Sequence, residues 1–268
     1  MQKIIENIWE QRDFLKEEAV QNAVKEVIAL LNEGKIRVAE YSNGTWQINE
    51  WVKKAVLLYF SVQPMEYLEM GGFKYYDKMP LKTFHPDMGV RVVPNAVARY
   101  GSYVEKGAIL MPSYVNIGAY IGTGTMIDTY AMIGSCAQIG KNVHVSSNVG
   151  IGGVLEPIQA APVIIEDDCF IGMGCSVVEG ILVKRGAVLA AHVVLTQSTK
   201  IFDVTQEQSV EYKGYIPENS VVIPGTYNKN YPAGTFQVSC ALIIGKRKES
   251  TDKKTSLNEA LRDFEVNM

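Results

Sequence analysis

Asp128 lies in the run 122–140, Gly-Thr-Gly-Thr-Met-Ile-Asp-Thr-Tyr-Ala-Met-Ile-Gly-Ser-Cys-Ala-Gln-Ile-Gly, directly after Ile127. Six residues earlier and six later the same place holds Gly122 and Gly134. A carboxylate replacing a turn glycine sits on the surface. There it can bind, orient and deprotonate a substrate ammonium. It can equally cap its own turn through the backbone, and residue type alone leaves both readings open. The chain has three histidines, His85, His144 and His192. Zinc chemistry of the hydratase kind needs three such ligands around one ion, and these are far apart in sequence, so no metal is expected. His144 and His192 are also candidate bases, with a surface turn as the alternative role for His144. The four cysteines, Cys136, Cys169, Cys175 and Cys240, show no C-x-x-C spacing and read as reduced thiols of a cytoplasmic protein. Cys169 and Cys175 fall four after Ile165 and Ile171, as small packing residues rather than nucleophiles.

The elements that position these groups follow from a repeat. At six-residue steps the chain reads Val97, Tyr103, Ile109, Val115, Ile121, Ile127, Ile133, Ile139, Val145 and Ile151. The period resumes at Ile165 and runs through Ile171, Val177, Val183, Leu189 and Leu195 to Ile201. A period of six fits a short strand and a turn, with one aliphatic side chain inward per strand. Three strands make one triangular turn of about 18 residues, a parallel β-helix of hexapeptide repeats. Known coils of this kind wind left-handed, against the usual crossover rule, although periodicity cannot reveal the hand. The slip between Ile151 and Ile165 contains Pro157 and Pro162 and reads as a loop ejected near 154–163. Gly122, Gly134, Gly140, Gly152 and Gly172 each follow an inward aliphatic. Gly101, Gly107, Ser113, Ala119, Thr125, Ala131 and Ala137 fall four after one.

The flanks read differently. Residues 18–34 have helical apolar spacing and end on Gly34, a C-cap, and 48–60 read as a second helix. The organisation is a mostly helical N-terminal part (1–88), a β-helix (89–225) and a strand-plus-helix extension (226–268). Residues 223–225 close the coil, 236–245 form a strand, and 256–265 form a short helix capped by Thr255 or Ser256. With 26 basic against 29 acidic residues, a net charge of −3, the chain lacks the basic excess of a nucleic-acid binder. No apolar run approaches the ~18 residues of a membrane span, and the charged N-terminus does not read as a signal peptide.

A coil of this kind hosts several functions. A purely structural β-helix explains neither the end domains nor a lone acid among turn glycines. Acyl transfer from coenzyme A needs only an amine stripped of its proton, a positioned thioester and N–H groups near the oxyanion. The chain resembles one family with that chemistry. Arg91-Val-Val-Pro94, Leu110-Met-Pro-Ser-Tyr-Val-Asn-Ile-Gly-Ala-Tyr120, the run around Asp128 and Gly150-Ile-Gly-Gly-Val-Leu-Glu-Pro157 look like the 2,3,4,5-tetrahydropyridine-2,6-dicarboxylate N-succinyltransferases. The likeness extends to 27–31, 53–58 and the C-terminal helix.

The resemblance implies a homotrimer with active sites between neighbouring coils and no tightly bound cofactor. Succinyl would pass directly from succinyl-CoA to the amine of ring-opened tetrahydrodipicolinate, in lysine and diaminopimelate synthesis. It implies that Asp128 contacts the amine and that Arg91 grips a substrate carboxylate with its planar fork. Counting back by six from Val97 would turn Arg91 inward, where a guanidinium would be buried unpaired, so the regular coil is expected to begin after it. Two departures matter. A second family acid falls on Ser176, while Glu179 survives three residues on as a weaker substrate contact. The usual tryptophan two residues past the aspartate is Tyr130, which keeps an aromatic wall. Lys246 and Arg247, in a charged loop spanning 246–254, are candidate contacts for CoA phosphates, with a solvated loop as the alternative. The rival readings are the same fold using acetyl-CoA or another acceptor, and a non-catalytic binding β-helix.

Overall fold

The computed structural model describes residues 1–248. The helix expected at 256–265 and the end of the charged loop lie outside them. Three helices open the chain: α1 (Gln2–Glu10), α2 (Glu18–Asn32) and α3 (Glu50–Val62). In α2, Val24, Val27, Ile28 and Leu31 recur at helical spacing and are buried against Val52, Val56 and Leu58. The helix stops as the sequence predicts. Gly34 adopts φ 70°, its N–H bonds Leu31 O at 3.0 Å, and Lys35 N–H bonds Leu30 O at 2.9 Å. That is a Schellman cap. A Cβ on Gly34 would also strike the Tyr103 ring at 2.6 Å, so glycine is needed there for conformation and for space.

Two hairpins interrupt what the sequence presents as a mostly helical region: β1 (Ala39–Ser42) with β2 (Thr45–Ile48), and β3 (Glu66–Met70) with β4 (Phe73–Asp77). The first turns on Asn43 and Gly44, the second on Gly71 and Gly72, all at positive φ, the two-residue turn chemistry of hairpins.

From Arg91 the chain winds as a left-handed parallel β-helix. Its first face stacks Arg91–Val92, Ile109–Leu110, Met126–Ile127, His144–Val145, Phe170–Ile171 and Val188–Leu189. The second runs from Val97–Ala98 through Tyr114–Val115, Met132–Ile133, Gly150–Ile151 and Ser176–Val177 to Val194–Leu195. The third runs from Tyr103–Val104 through Tyr120–Ile121, Gln138–Ile139, Ile164–Ile165 and Leu182–Val183 to Tyr215–Ile216. The second residue of each pair points inward; from Ala98 and Val104 to Ile216 those residues form one continuous buried core.

The inward register differs from the six-step reading at its start. The inward residues are Ala98, Val104 and Leu110, not Val97, Tyr103 and Ile109. Leu110 and Val115 are five apart, and the turn between them contains Pro112. Counting back through that short turn displaces the earlier register by one. The buried small residues four past the inward ones are consequently Ser102 and Ala108, and Gly101 and Gly107 take the positive-φ place beside them. Arg91 is corrected too: it lies inside the first coil strand, paired with Ile109, and its side chain is outward and exposed.

The chain does not return to the coil directly after Ile151. Residues 152–163 leave at the corner between the second and third faces, as the slip predicts. Lys53 of α3 catches them: its ammonium donates to the carbonyl oxygens of Pro157 (3.2 Å), Ile158 (2.9 Å) and Ala160 (2.8 Å). At the far end, residues 223–225 do not close the coil with a break. They continue the strand Ser220–Tyr231, whose Val221–Val222 is the last rung on the first face. It folds back antiparallel as Gly234–Lys246, which contains the expected strand at 236–245.

Candidate active site

The register defines three corners. Ile127 lies under Val145, which lies under Ile171, so the residues stacked above Asp128 at the first corner are Ser146 and Gly172. Gly122 and Gly140 occupy the third corner and Gly134 and Gly152 the second. Glycine there follows from close stacking: a Cβ on Gly122 would lie 2.5 Å from Gly140 O. At Asp128's own corner the space admits a side chain.

One oxygen of Asp128 is spent locally. Oδ1 accepts the backbone N–H of Thr129 at 2.6 Å and its hydroxyl at 3.3 Å. The turn-capping reading is therefore correct for Oδ1, and it fixes the carboxylate plane. Oδ2 lies 4.0 Å from His144 Nε2. His144 is buried on the first face, directly above Met126, with its ring stacked on Phe170 (centroids 5.1 Å, planes 11° apart). A locked carboxylate beside a buried imidazole can take a proton from an ammonium and stabilise the cation as it approaches. From sequence His144 is a candidate base by itself, not joined to Asp128. The signal was the coil length: Met126 and His144 are one turn, 18 residues, apart.

Arg91 shares the first face, two coils below Met126, about 10 Å away at the usual strand spacing. Tyr130 follows Asp128 on the same turn at φ 60°, 74% exposed. It borders a surface hollow of about 450 Å³ with Asn95, Val97, Pro112, Tyr114 and Met132. Arg91 stands on the first face and Asp128 and Tyr130 on the corner that follows it; the hollow beside Tyr130 is lined by neither Arg91 nor Asp128.

Glu179 does not join them within one chain. It stands on the second corner, where Oε2 accepts Gln197 N–H at 2.9 Å and its carbonyl oxygen accepts Gln197 Nε2 at 2.8 Å. Ser176 is on the second face, between Gly150 and Val194. Lys246 and Arg247 differ from a phosphate-facing loop. Lys246 Nζ donates to Glu218 O (2.9 Å) and Ser220 Oγ (3.3 Å). Arg247 donates to the carbonyl oxygens of Asp168 and Gly186. Their hydrogen bonds pin the returning strand to the third corner.

The four thiols are free and buried. Burial pushes Cys136 and Cys169 up to about 12 and Cys175 up to about 11. The Cys169 and Cys175 thiols donate to the carbonyl oxygens of Lys184 (3.2 Å) and Ala190 (3.0 Å). Such groups are packed, not nucleophilic. Among the described residues no three His, Cys, Asp or Glu side chains cluster as metal ligands, and no helix is long and apolar enough to cross a membrane.

Residues 1–62 match the N-terminal family model of tetrahydrodipicolinate N-succinyltransferase. Residues 118–153 match the bacterial transferase hexapeptide (six repeats), and residues 162–197 the hexapeptide repeat of succinyl-transferase. A 2,3,4,5-tetrahydropyridine-2,6-dicarboxylate N-succinyltransferase from Ralstonia nicotianae is 52% identical over 275 residues, covering 98% of both chains. One from Variovorax paradoxus is 51% identical over 276 residues, covering 98% of this chain and 99% of its own. A solved structure from Campylobacter jejuni, described as a putative 2,3,4,5-tetrahydropyridine-2-carboxylate N-succinyltransferase, aligns over 87% of this chain and 63% of its own. Its TM-score is 0.51 at 18% identity, a likeness of fold.

Proposed function

The chain belongs to the 2,3,4,5-tetrahydropyridine-2,6-dicarboxylate N-succinyltransferase family, and from that premise we propose how its residues divide the work. Its activity is succinyl transfer to the amine of tetrahydrodipicolinate, in lysine and diaminopimelate synthesis. The donor is succinyl-CoA, and the acceptor is the ring-opened 2-amino-6-oxopimelate. Asp128 Oδ2 receives the acceptor ammonium, and His144 beside it steadies the carboxylate. Arg91 takes an acceptor carboxylate in its fork. Tyr130 walls the acceptor. The freed amine attacks the thioester carbonyl, backbone N–H groups meet the oxyanion, and collapse expels the CoA thiolate, giving N-succinyl-2-amino-6-oxopimelate. Direct transfer without an acyl-enzyme is supported by the burial of all four thiols.

The single observation that carries the assignment is the fixed Asp128 carboxylate, with Oδ1 bound to its own turn and Oδ2 left for the amine. A homotrimer with its sites between coils is supported by apolar surface that one chain leaves bare, such as Tyr67, Phe73 and Tyr76 on β3–β4 and Met132 beside Tyr130. A cytoplasmic location accords with four unpaired thiols.

The test is thiol release by purified protein with tetrahydrodipicolinate and either succinyl-CoA or acetyl-CoA. Release that requires the acceptor and favours succinyl-CoA is the expected result. Release with acetyl-CoA alone would overturn the donor, and no release with either would overturn the acceptor.

A further inference from the structure

Arg37, between α2 and β1, is held on every side except one. Its guanidinium lies on the Tyr120 ring, 3.5 Å from the centroid, and Nε donates to Gln138 Oε1 at 3.0 Å. Gln138 is itself buried and fixed, its amide donating to the carbonyl oxygens of Cys136 (2.9 Å) and Gly118 (3.3 Å). The Tyr120 hydroxyl donates to Glu105, whose other oxygen accepts Thr123 N–H at 2.6 Å. Asn49 Nδ2 pins the Arg37 carbonyl oxygen at 2.8 Å. The fork cannot swing away, yet among the described residues no carboxylate lies within 4.0 Å of it. Its two terminal nitrogens have no hydrogen-bond partner among the described residues either.

Arg37 lines a cleft of about 450 Å³ between β1–β2 and the third corner of the coil. Tyr41 and Trp46 wall it, and Lys141 and Arg185 add cations from turns two apart, with Asp167 on the turn between them. Two of its acids are already occupied. Glu166 accepts Trp46 Nε1 and Arg185 N–H, each at 2.9 Å. Asp167 accepts Lys141 N–H at 2.8 Å and Arg185 Nη2 at 3.3 Å. Glu218 is the remaining acid, against Arg37 and Lys141 as the remaining cations. A fold that immobilises a half-buried guanidinium with Glu105, Glu40 and Asp167 acting on it only from beyond ion-pair distance leaves a desolvation cost that an anion in direct contact reduces. A rigid planar fork is suited to two-point recognition of carboxylate or phosphate.

We propose that this cleft binds a small anion, a carboxylate or a phosphate, gripped by the two terminal nitrogens of Arg37 with its remainder against Tyr41 and Trp46. The cleft opens at the third corner and Asp128 stands on the first, so within one chain the two are separate sites.

The test titrates the full-length protein with succinate and, separately, inorganic phosphate, following heat and the intrinsic tryptophan fluorescence, to which Trp46 contributes beside Trp9 and Trp51. A saturable transition with either probe, weakened at least tenfold by Arg37→Met and retained in Arg91→Met, is the expected outcome; the probe that produces it identifies the anion class. Arg37→Lys keeps the charge but loses the fork, so it weakens binding as well and serves if Arg37→Met does not fold. The absence of a saturable transition with both probes, or one that survives Arg37→Met unchanged, overturns the proposal.

Discussion

His144 Nε2 lies 4.0 Å from Asp128 Oδ2, one coil above it, and Thr129 N–H holds the other oxygen at 2.6 Å. The carboxylate is thus clamped from its own turn and faced by an imidazole whose ring is fixed against Phe170. Preorganisation of this kind lets a carboxylate act on an ammonium without first reorganising.

Asp128→Asn keeps the shape and the Oδ1-type contacts but cannot take a proton. Turnover falls about a hundredfold or more, with the melting temperature and oligomeric state unchanged. His144→Phe preserves the stack on Phe170 and removes the polar edge; kcat falls about tenfold while KM for succinyl-CoA holds. If the imidazole acts through the carboxylate, His144→Phe adds nothing on an Asp128→Asn background. Independent losses in the double variant would separate the two residues.

Lys53 is the anchor of residues 152–163. Its ammonium is fully buried and spends its donors on three carbonyl oxygens of that segment. Burial lowers the Lys53 pKa, and the carbonyl cage is what the ammonium receives in place of water. Lys53→Met removes the donors and keeps much of the volume. A loss of stability of about 1–3 kcal/mol is expected, together with new cleavage within 152–163 under limited proteolysis. A segment that stays resistant would mean that other contacts hold it.

The coil was legible because its rule is local: one aliphatic side chain every six residues needs no knowledge of the rest of the chain. The same rule misplaced Arg91, since a spacing of five instead of six between Leu110 and Val115 leaves the pattern looking intact one position out. It also compared Asp128 with Gly122 and Gly134, which occupy other corners. The informative comparison is one full turn on, and that is where His144 and Ser146 stand. In the N-terminal region the helices showed by periodicity, whereas Asn43-Gly44 and Gly71-Gly72 carried the hairpin signal in two residues each. Arg37 was invisible beforehand, because its meaning depends on Tyr120 and Gln138, some eighty to one hundred residues away.

The thiols give a direct check on mechanism. Cys136 and Cys169, pushed up to about 12, hold almost no thiolate at neutral pH, and all four thiols are buried. Native protein should react negligibly with an aromatic disulfide reagent at pH 8, and all four cysteines should react after denaturation. Stoichiometric labelling of native protein with loss of activity would instead reopen a covalent route.

Lys82 supplies a pH prediction. It is buried at the start of the coil, its ammonium donating to Asn32 O at 2.8 Å, Asn32 Oδ1 at 2.9 Å and Ser102 O at 3.0 Å. Desolvation lowers its pKa from 10.5 to about 8. Between those values the unfolded chain holds a proton that the folded chain has released. The unfolded state therefore binds more protons, and this residue's contribution makes stability rise with pH across that window. Below about 8 both states are protonated and the desolvation cost stands in full. Lys82→Met removes the contribution, so the difference in melting temperature between wild type and variant should move in favour of wild type from pH 8 to pH 10. A difference that stays flat, or moves the other way, would mean that the three acceptors hold the ammonium protonated against its burial.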